Sequence, residues 1–148
     1  MPYTEAFTME VLRIRPAVPY GVPHAVTEDV EFRGFLIPKG TAVYSSIYST
    51  HHDPDVWGDP ENFRPERFLS SDGSKVEKHE SFLGFSTGKR ICPGEILARD
   101  QLFLFITTLA QTFRICNEDE KSLPTLEPVT GKVTLGPCRY AVVMKERV

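Results

Sequence analysis

Apolar residues change their period several times along the 148-residue chain, and each change marks an element. From Tyr3 to Arg15, Phe7, Val11, Leu12 and Ile14 recur at helical spacing until Pro16, which predicts a short helix. Pro19 to Pro23, with Gly21 inside, must be extended or turning. His24 to Thr27, Val30 to Ile37 and Thr41 to Ile47 are rich in β-branched and aromatic residues and read as strands. Pro38-Lys39-Gly40 between the last two predicts a hairpin turn. His51 to Phe68 is dense in Pro, Asp, Asn and Gly, which predicts ordered irregular structure anchored by Trp57 and Phe63, with one short helix. Ser70 to Glu80 is polar and reads as a surface loop. Glu95 to Phe113 is the longest helical run, apolar on more than one face, a pattern typical of a buried helix. In the tail, 132–135 and 140–145 alternate around Gly136-Pro137 as a final hairpin. The sum is a mainly α chain with small β-sheets (α+β).

Composition narrows the function only by exclusion. Seventeen basic against twenty acidic residues leave a net charge of −3, so nothing draws the chain to nucleic acid. The three cysteines, Cys92, Cys116 and Cys138, are far apart and form no C-x-x-C, which argues against zinc; their odd number argues against a disulfide-stapled domain. His51 and His52 adjoin Asp53-Pro54 and read as solvated loop residues rather than metal ligands. No apolar run reaches eighteen residues, and Met1 to Glu5 lacks the pattern of a signal peptide. The chain is therefore expected to carry no membrane anchor of its own.

One segment concentrates chemistry. Phe85 to Gly94 reads F-S-T-G-K-R-I-C-P-G and leads straight into the long helix. A thiolate ligand must be deprotonated, desolvated and held in place, and Cys92 has neighbours suited to each need. Gly88 and Gly94 permit positive φ and close approach to a flat cofactor, so that loop N–H groups can point at the sulfur. The helix beginning near Glu95 brings the positive end of its dipole toward that sulfur. Phe85 can cover it. The ordinary alternative is a small buried thiol in a glycine-rich turn.

This segment resembles the F-x-x-G-x-R-x-C-x-G signature of the cytochrome P-450 superfamily at all five fixed positions. Two further segments agree. Glu10-Val11-Leu12-Arg13 resembles the family's E-x-x-R, and Phe63 to Phe68, F-R-P-E-R-F, resembles its P-E-R-F segment. Glu10 and Arg13 share one helix face and can pair; Arg67, arriving from a distant loop, is the second guanidinium that could complete the carboxylate. An exposed helical ion pair is the plain alternative. The likeness covers the whole chain and is nearest to the microsomal xenobiotic- and steroid-oxidising type, through G-V-P-H at Gly21 to His24, F-R-G-F-L-I-P-K-G-T at Phe32 to Thr41, and P-G-E-I-L-A-R-D-Q-L-F-L-F at Pro93 to Phe105.

The resemblance implies that residues 1–148 are the C-terminal, haem-binding part of a single P-450 domain. It implies Cys92 as the axial thiolate of haem b (iron protoporphyrin IX), with Arg90 and His24 on the propionates, Phe85 beside the sulfur, and Gly88 and Gly94 shaping the loop. His24 as an ordinary strand-edge histidine stays equally open. Val18 to Val22 and residues 132–136 would line the substrate pocket from two sides. Lys89 could face an acidic reductase, or simply be solvated. The parent enzyme would be an oxidoreductase of the endoplasmic reticulum membrane, a monooxygenase taking NADPH-derived electrons from its cytochrome reductase and inserting one atom of dioxygen into a small apolar substrate. The family's oxygen-activating helix and its membrane anchor have no counterpart in these residues, so membrane association would come through parts outside this chain. The alternative is a truncated, non-catalytic haem-binding or interaction fragment. In either case the chain is expected to expose apolar surface.

Overall fold

The structure, a computed structural model, describes residues 1–118, 124–130 and 133–147. Helix α1 (Pro2–Ile14) opens with proline in its first turn and stops where Pro16 forces Arg15 out of helical geometry, to φ −137° and ψ 70°. Helices α2 (Ile47–His51) and α3 (Pro54–Trp57) are each started by a side-chain cap. Ser46 Oγ accepts from the Ser49 N–H, and Asp53 Oδ1 accepts from the Asp55 N–H. A 3₁₀ turn follows at Pro65–Phe68, and a second, Gly88–Arg90, precedes the long helix α4 (Glu95–Thr112).

Strands occur as four antiparallel pairs among the described residues: β1 (His24–Ala25) with β4 (Ala42–Val43), β2 (Val30–Phe32) with β3 (Phe35–Ile37), β5 (Phe113–Asn117) with β8 (Val142–Glu146), and β6 (Val129–Thr130) with β7 (Leu135–Gly136). The mixed α+β class expected from the sequence is what the chain adopts.

The core is small and lies under α1. Ala6 and Met9 pack against Trp57, Phe68 and Phe82, with Leu12, Leu69 and Val76 closing the sides. Val76 reaches it because Leu69 and Val76 bridge the two ends of the 70–76 turn, inside which Asp72 accepts hydrogen bonds from Ser70 Oγ and from the Ser74 N–H and Oγ. Those donors hold the Asp72 carboxyl well below the usual carboxylate range, at about 2.

Five expectations need correction. The segment from Val30 to Ile37 is two strands rather than one. Its hairpin turns at Arg33-Gly34, both at positive φ (52° and 82°), because that pair supplies the left-handed conformation a tight two-residue turn demands. Pro38-Lys39-Gly40 instead carries the chain from β3 to β4, which pairs with β1. The predicted final hairpin does not form. Val142–Glu146 pairs with β5, a strand directly after α4, and Leu135–Gly136 pairs with β6; residue 132 lies outside the described residues. His51 ends α2 and is fully buried rather than solvated. Finally, no residue of α4 is buried; Ile96, Leu97, Leu104 and Phe105 are each more than 60% exposed. An all-round apolar helix is buried only where something covers it, and here α1 covers one side.

Candidate functional site

Beneath the cysteine loop lies a buried ionic network. Arg13 donates from Nε to Glu10 Oε2 (2.7 Å) and from Nη2 to Glu10 Oε1 (2.8 Å), with both side chains at zero exposure. Arg67 Nε adds a bond to Oε1 at 3.1 Å, and the Arg64 N–H another at 2.9 Å. The remaining guanidinium hydrogens go to carbonyls and one further carboxylate: Arg13 to the carbonyls of His51 and Pro60, Arg67 to those of Trp57, Asp59 and Asn62 and, from Nη2, to Asp59 Oδ1 at 3.1 Å. The Glu10–Arg13 pair is the one their spacing predicts and Arg67 is the second guanidinium expected for it; the carboxylate is buried rather than exposed, with its partners' outer hydrogens satisfied. By this network the α1 helix holds the 59–67 segment.

The apolar pattern conceals His51. Its Nε2 lies 2.8 Å from the Leu83 backbone nitrogen and its Nδ1 lies 3.1 Å from the Arg13 carbonyl oxygen. The ring is stacked on Phe82 at 5.5 Å and 7°, and meets Trp57 edge-on. Burial dominates its titration and lowers its pKa from 6.5 to about 4, only partly offset by the bond to Arg13. One signal was available: Ile47 and His51 are four apart in a capped helical turn and share its buried face.

Above this floor, the loop from Leu83 to Gly94 is closed by its own backbone. The Ser86 N–H donates to the Leu83 carbonyl (2.8 Å), and Ser86 takes φ 67°. The Cys92 N–H donates to the Phe85 carbonyl (2.9 Å), clasping the two ends of the signature segment. Gly88 sits at φ 69°, where a side chain would be strained although a Cβ would touch nothing within 4 Å. Gly94 takes φ −90°, so the positive φ expected of both glycines holds only at Gly88. A Cβ on Gly94 would lie 3.8 Å from Cys92 Sγ, which places the sulfur directly over that residue. The Glu95 N–H bonds the Cys92 carbonyl (3.3 Å), and α4 begins there, two residues beyond Pro93.

Phe85, Gly88, Arg90, Cys92 and Gly94 are thus gathered in one loop. Cys92, Lys89 and Arg90 are exposed, and neither cation has an ion-pair partner among the described residues. Among those residues no N–H reaches Cys92 Sγ. Phe85 is half-buried and lines a cavity of about 430 Å³ between α1 and α4, shared with Met9, Leu12, Phe82, Ile96 and Phe103, of which Cys92 is not a wall. His24 stands apart, exposed on β1 opposite Val43, with no hydrogen bond to the loop among the described residues. Of the segments expected to line a substrate pocket, the tail does reach the chain after α1. The Leu135 N–H donates to the Ala17 carbonyl (3.0 Å), beside a second cavity walled by Arg15, Ala17, Leu126, Leu135 and Tyr140. Val18 to Val22 are not among its walls.

The donor set has a chemical preference. No three His, Cys, Asp or Glu side chains converge among the described residues. Cys92 by itself would offer a metal one soft sulfur donor. An exposed thiol over a glycine, with an uncommitted guanidinium two residues away, suits a flat macrocycle that supplies its own nitrogen donors and carries carboxylates.

Comparison with known proteins gives a consistent picture. The family model described as Cytochrome P450 matches residues 1–144. Cytochrome P450 2B2 of Rattus norvegicus is 43% identical over 147 residues, covering 99% of this chain and 30% of that protein. Cytochrome P450 2B9 of Mus musculus is 49% identical over 117 residues (79% of this chain, 24% of that protein), and Cytochrome P450 2U1 of Homo sapiens is 40% identical over 147 (99% and 27%). The chain therefore spans less than a third of the length of these relatives. No helix among the described residues is long and apolar enough to cross a membrane.

Proposed function

The chain belongs to the cytochrome P450 family, and from that premise we propose that residues 1–148 form the C-terminal haem-binding part of a single P450 domain whose axial ligand is Cys92. The observation that carries this reading is the loop itself. Cys92 is exposed at the mouth of a segment clasped by the Phe85 carbonyl and the Cys92 N–H, with α4 starting just beyond it. Bound haem supplies redox chemistry on dioxygen that no side chain here provides. The residues of this chain hold and tune. Cys92 donates thiolate charge, and the start of α4 favours the anionic sulfur. Arg90, exposed and without an ion-pair partner among the described residues, would take a propionate; Gly88 supplies the left-handed conformation that opens the turn carrying Lys89 and Arg90. Phe85, half-buried on the inner side of the loop, lines the α1–α4 cavity. His24, exposed on β1, would take a propionate by the family resemblance alone.

For the whole enzyme the reading is a monooxygenase that receives NADPH-derived electrons from a reductase at the endoplasmic reticulum membrane and oxidises a small apolar molecule. The apolar walls near Leu126, Leu135 and Tyr140 agree with a substrate of that kind. The test is the Soret band of the reduced, carbon monoxide-treated protein. A thiolate-type red shift that Cys92→Ser abolishes is expected. A band typical of free or histidine-bound haem, identical in Cys92→Ser, refutes the assignment.

A further inference from the structure

We propose that His51 is a positioning residue for the cysteine loop, fixing the backbone of Leu83 so that the buried Glu10–Arg13–Arg67 network sets where the Phe85–Cys92 clasp stands. Its ring spans two segments remote in sequence, 38 residues back to Arg13 and 32 forward to Leu83. The roles of its nitrogens follow from the partners. A backbone N–H only donates, so Nε2 is the acceptor for Leu83; a carbonyl only accepts, so Nδ1 carries the hydrogen and donates to Arg13. The tautomer is therefore determined, and the ring must be neutral, because an imidazolium has no acceptor for Leu83. Arg13 returns the contact by donating from Nη1 to the His51 carbonyl at 2.7 Å.

From there the connection runs without a gap. Phe82, stacked flat on the imidazole, adjoins Leu83; the Leu83 carbonyl accepts from Ser86; the Phe85 carbonyl accepts from Cys92. The bidentate Glu10–Arg13 pair lies at zero exposure, and among the described residues His51 supplies the one side-chain hydrogen bond from its surroundings to the root of the loop. Without Nε2, the Leu83 N–H becomes a half-buried donor with no partner, and the loop is released at its base. The consequence at the iron rests on the proposed ligation by Cys92; the hold on the loop does not.

The experiment separates the two hydrogen bonds. In the haem-loaded full chain, His51→Gln keeps an oxygen at the reach of Nε2, and so the bond to Leu83. His51→Asn reaches only as far as Nδ1 and keeps the bond to Arg13, while His51→Phe keeps the stack and loses both. Amide hydrogen exchange from Leu83 to Cys92 is expected to accelerate roughly tenfold or more in the Asn and Phe variants and to stay near wild type in Gln. The fraction of thiolate-type carbon monoxide band should follow the same order. Equal exchange in Gln and Asn overturns the proposal, and that comparison decides even where Phe fails to fold. A wild-type protein without the thiolate-type band, but with the exchange order intact, refutes the Cys92 reading and leaves the positioning role standing. A wild-type band indifferent to all three variants refutes the positioning role alone.

Discussion

Glu10→Gln removes one negative charge from a site that two arginines share, and its cost follows from the burial around it. Glu10 accepts four hydrogen bonds, from Arg13 Nε and Nη2, the Arg64 N–H and Arg67 Nε, at 2.7 to 3.1 Å. The Glu10 and Arg13 side chains are at 0% exposure and Arg67 is at 6%. Glutamine keeps the shape but presents an NH₂ group to a donor; it leaves the buried Arg13 without a carboxylate among the described residues, and Arg67 with only the half-exposed Asp59 at 3.1 Å. Breaking a buried pair in this way costs about 3–5 kcal/mol, a large part of a domain stability of roughly 5–15 kcal/mol. The ion pair Arg64–Asp59 is the internal control, with side chains 51% and 38% exposed. Arg64→Ala keeps the backbone N–H that serves Glu10 and should cost less than about 1 kcal/mol. The single tryptophan of the chain, Trp57, reports on the site directly, since the Arg13 and Arg67 guanidinium carbons lie 5.3 and 5.8 Å from its ring centroid. In urea unfolding followed by Trp57 fluorescence, Glu10→Gln should lower the midpoint by roughly 2 M at an ordinary denaturant slope. A shift no larger than that of Arg64→Ala would refute the view that this network carries the fold.

Three further outcomes are expected. Because burial lowers the His51 pKa from 6.5 to about 4, the unfolded chain gains a proton below pH 6.5 that the fold refuses until about pH 4. This contribution to stability is complete above pH 6.5, declines toward pH 4 and levels off below, a change of roughly 3 kcal/mol. Arg13 and His52 help keep the ring neutral and Glu10 opposes them. In unfolding curves measured across that range, parallel pH profiles for wild type and His51→Phe would contradict it. Gly88→Ala forces a side chain into φ 69° and should cost about 1–2 kcal/mol, whereas Gly94→Ala, at φ −90° where a Cβ meets only Cys92 Sγ in ordinary contact, should cost less, under about 1 kcal/mol for the poorer N-cap; thermal melts giving the reverse order count against the loop geometry. Leu97→Lys and Phe105→Lys alter α4 positions that are 63% and 67% exposed, so light scattering should show less self-association of the chain with an unfolding free energy within about 0.5 kcal/mol of wild type. Unchanged association would mean that another surface drives it.

The cysteine loop was legible because its information is local: Phe85, Gly88, Arg90, Cys92 and Gly94 all lie within ten residues of continuous chain, and the helix after them follows from the apolar run beyond Glu95. The Glu10–Arg13 pair was legible for the same reason, through a three-residue spacing on one helix, whereas Arg67 was picked out by the resemblance of its segment to P-E-R-F, since nothing local ties it to a carboxylate 57 residues away. What the pattern withheld was non-local. Nothing in the alternation of 140–145 distinguishes Leu135 from Ile115 as a partner, and the strand chose the latter. The hairpin was misplaced because Pro-Lys-Gly is the more familiar turn, yet Arg33-Gly34 has the backbone handedness that matches strand twist. His51 was misread because polarity normally signals solvent, and a histidine whose two nitrogens both find backbone partners escapes that rule. The exposure of α4 was invisible in a composition that speaks only of apolar content.

Iron K-edge X-ray absorption on the haem-loaded protein tests the proposed ligation most directly. One sulfur scatterer in the first shell of iron, replaced by a light atom in Cys92→Ser, is the predicted result. A first shell without sulfur, or a sulfur that persists in Cys92→Ser, would contradict it.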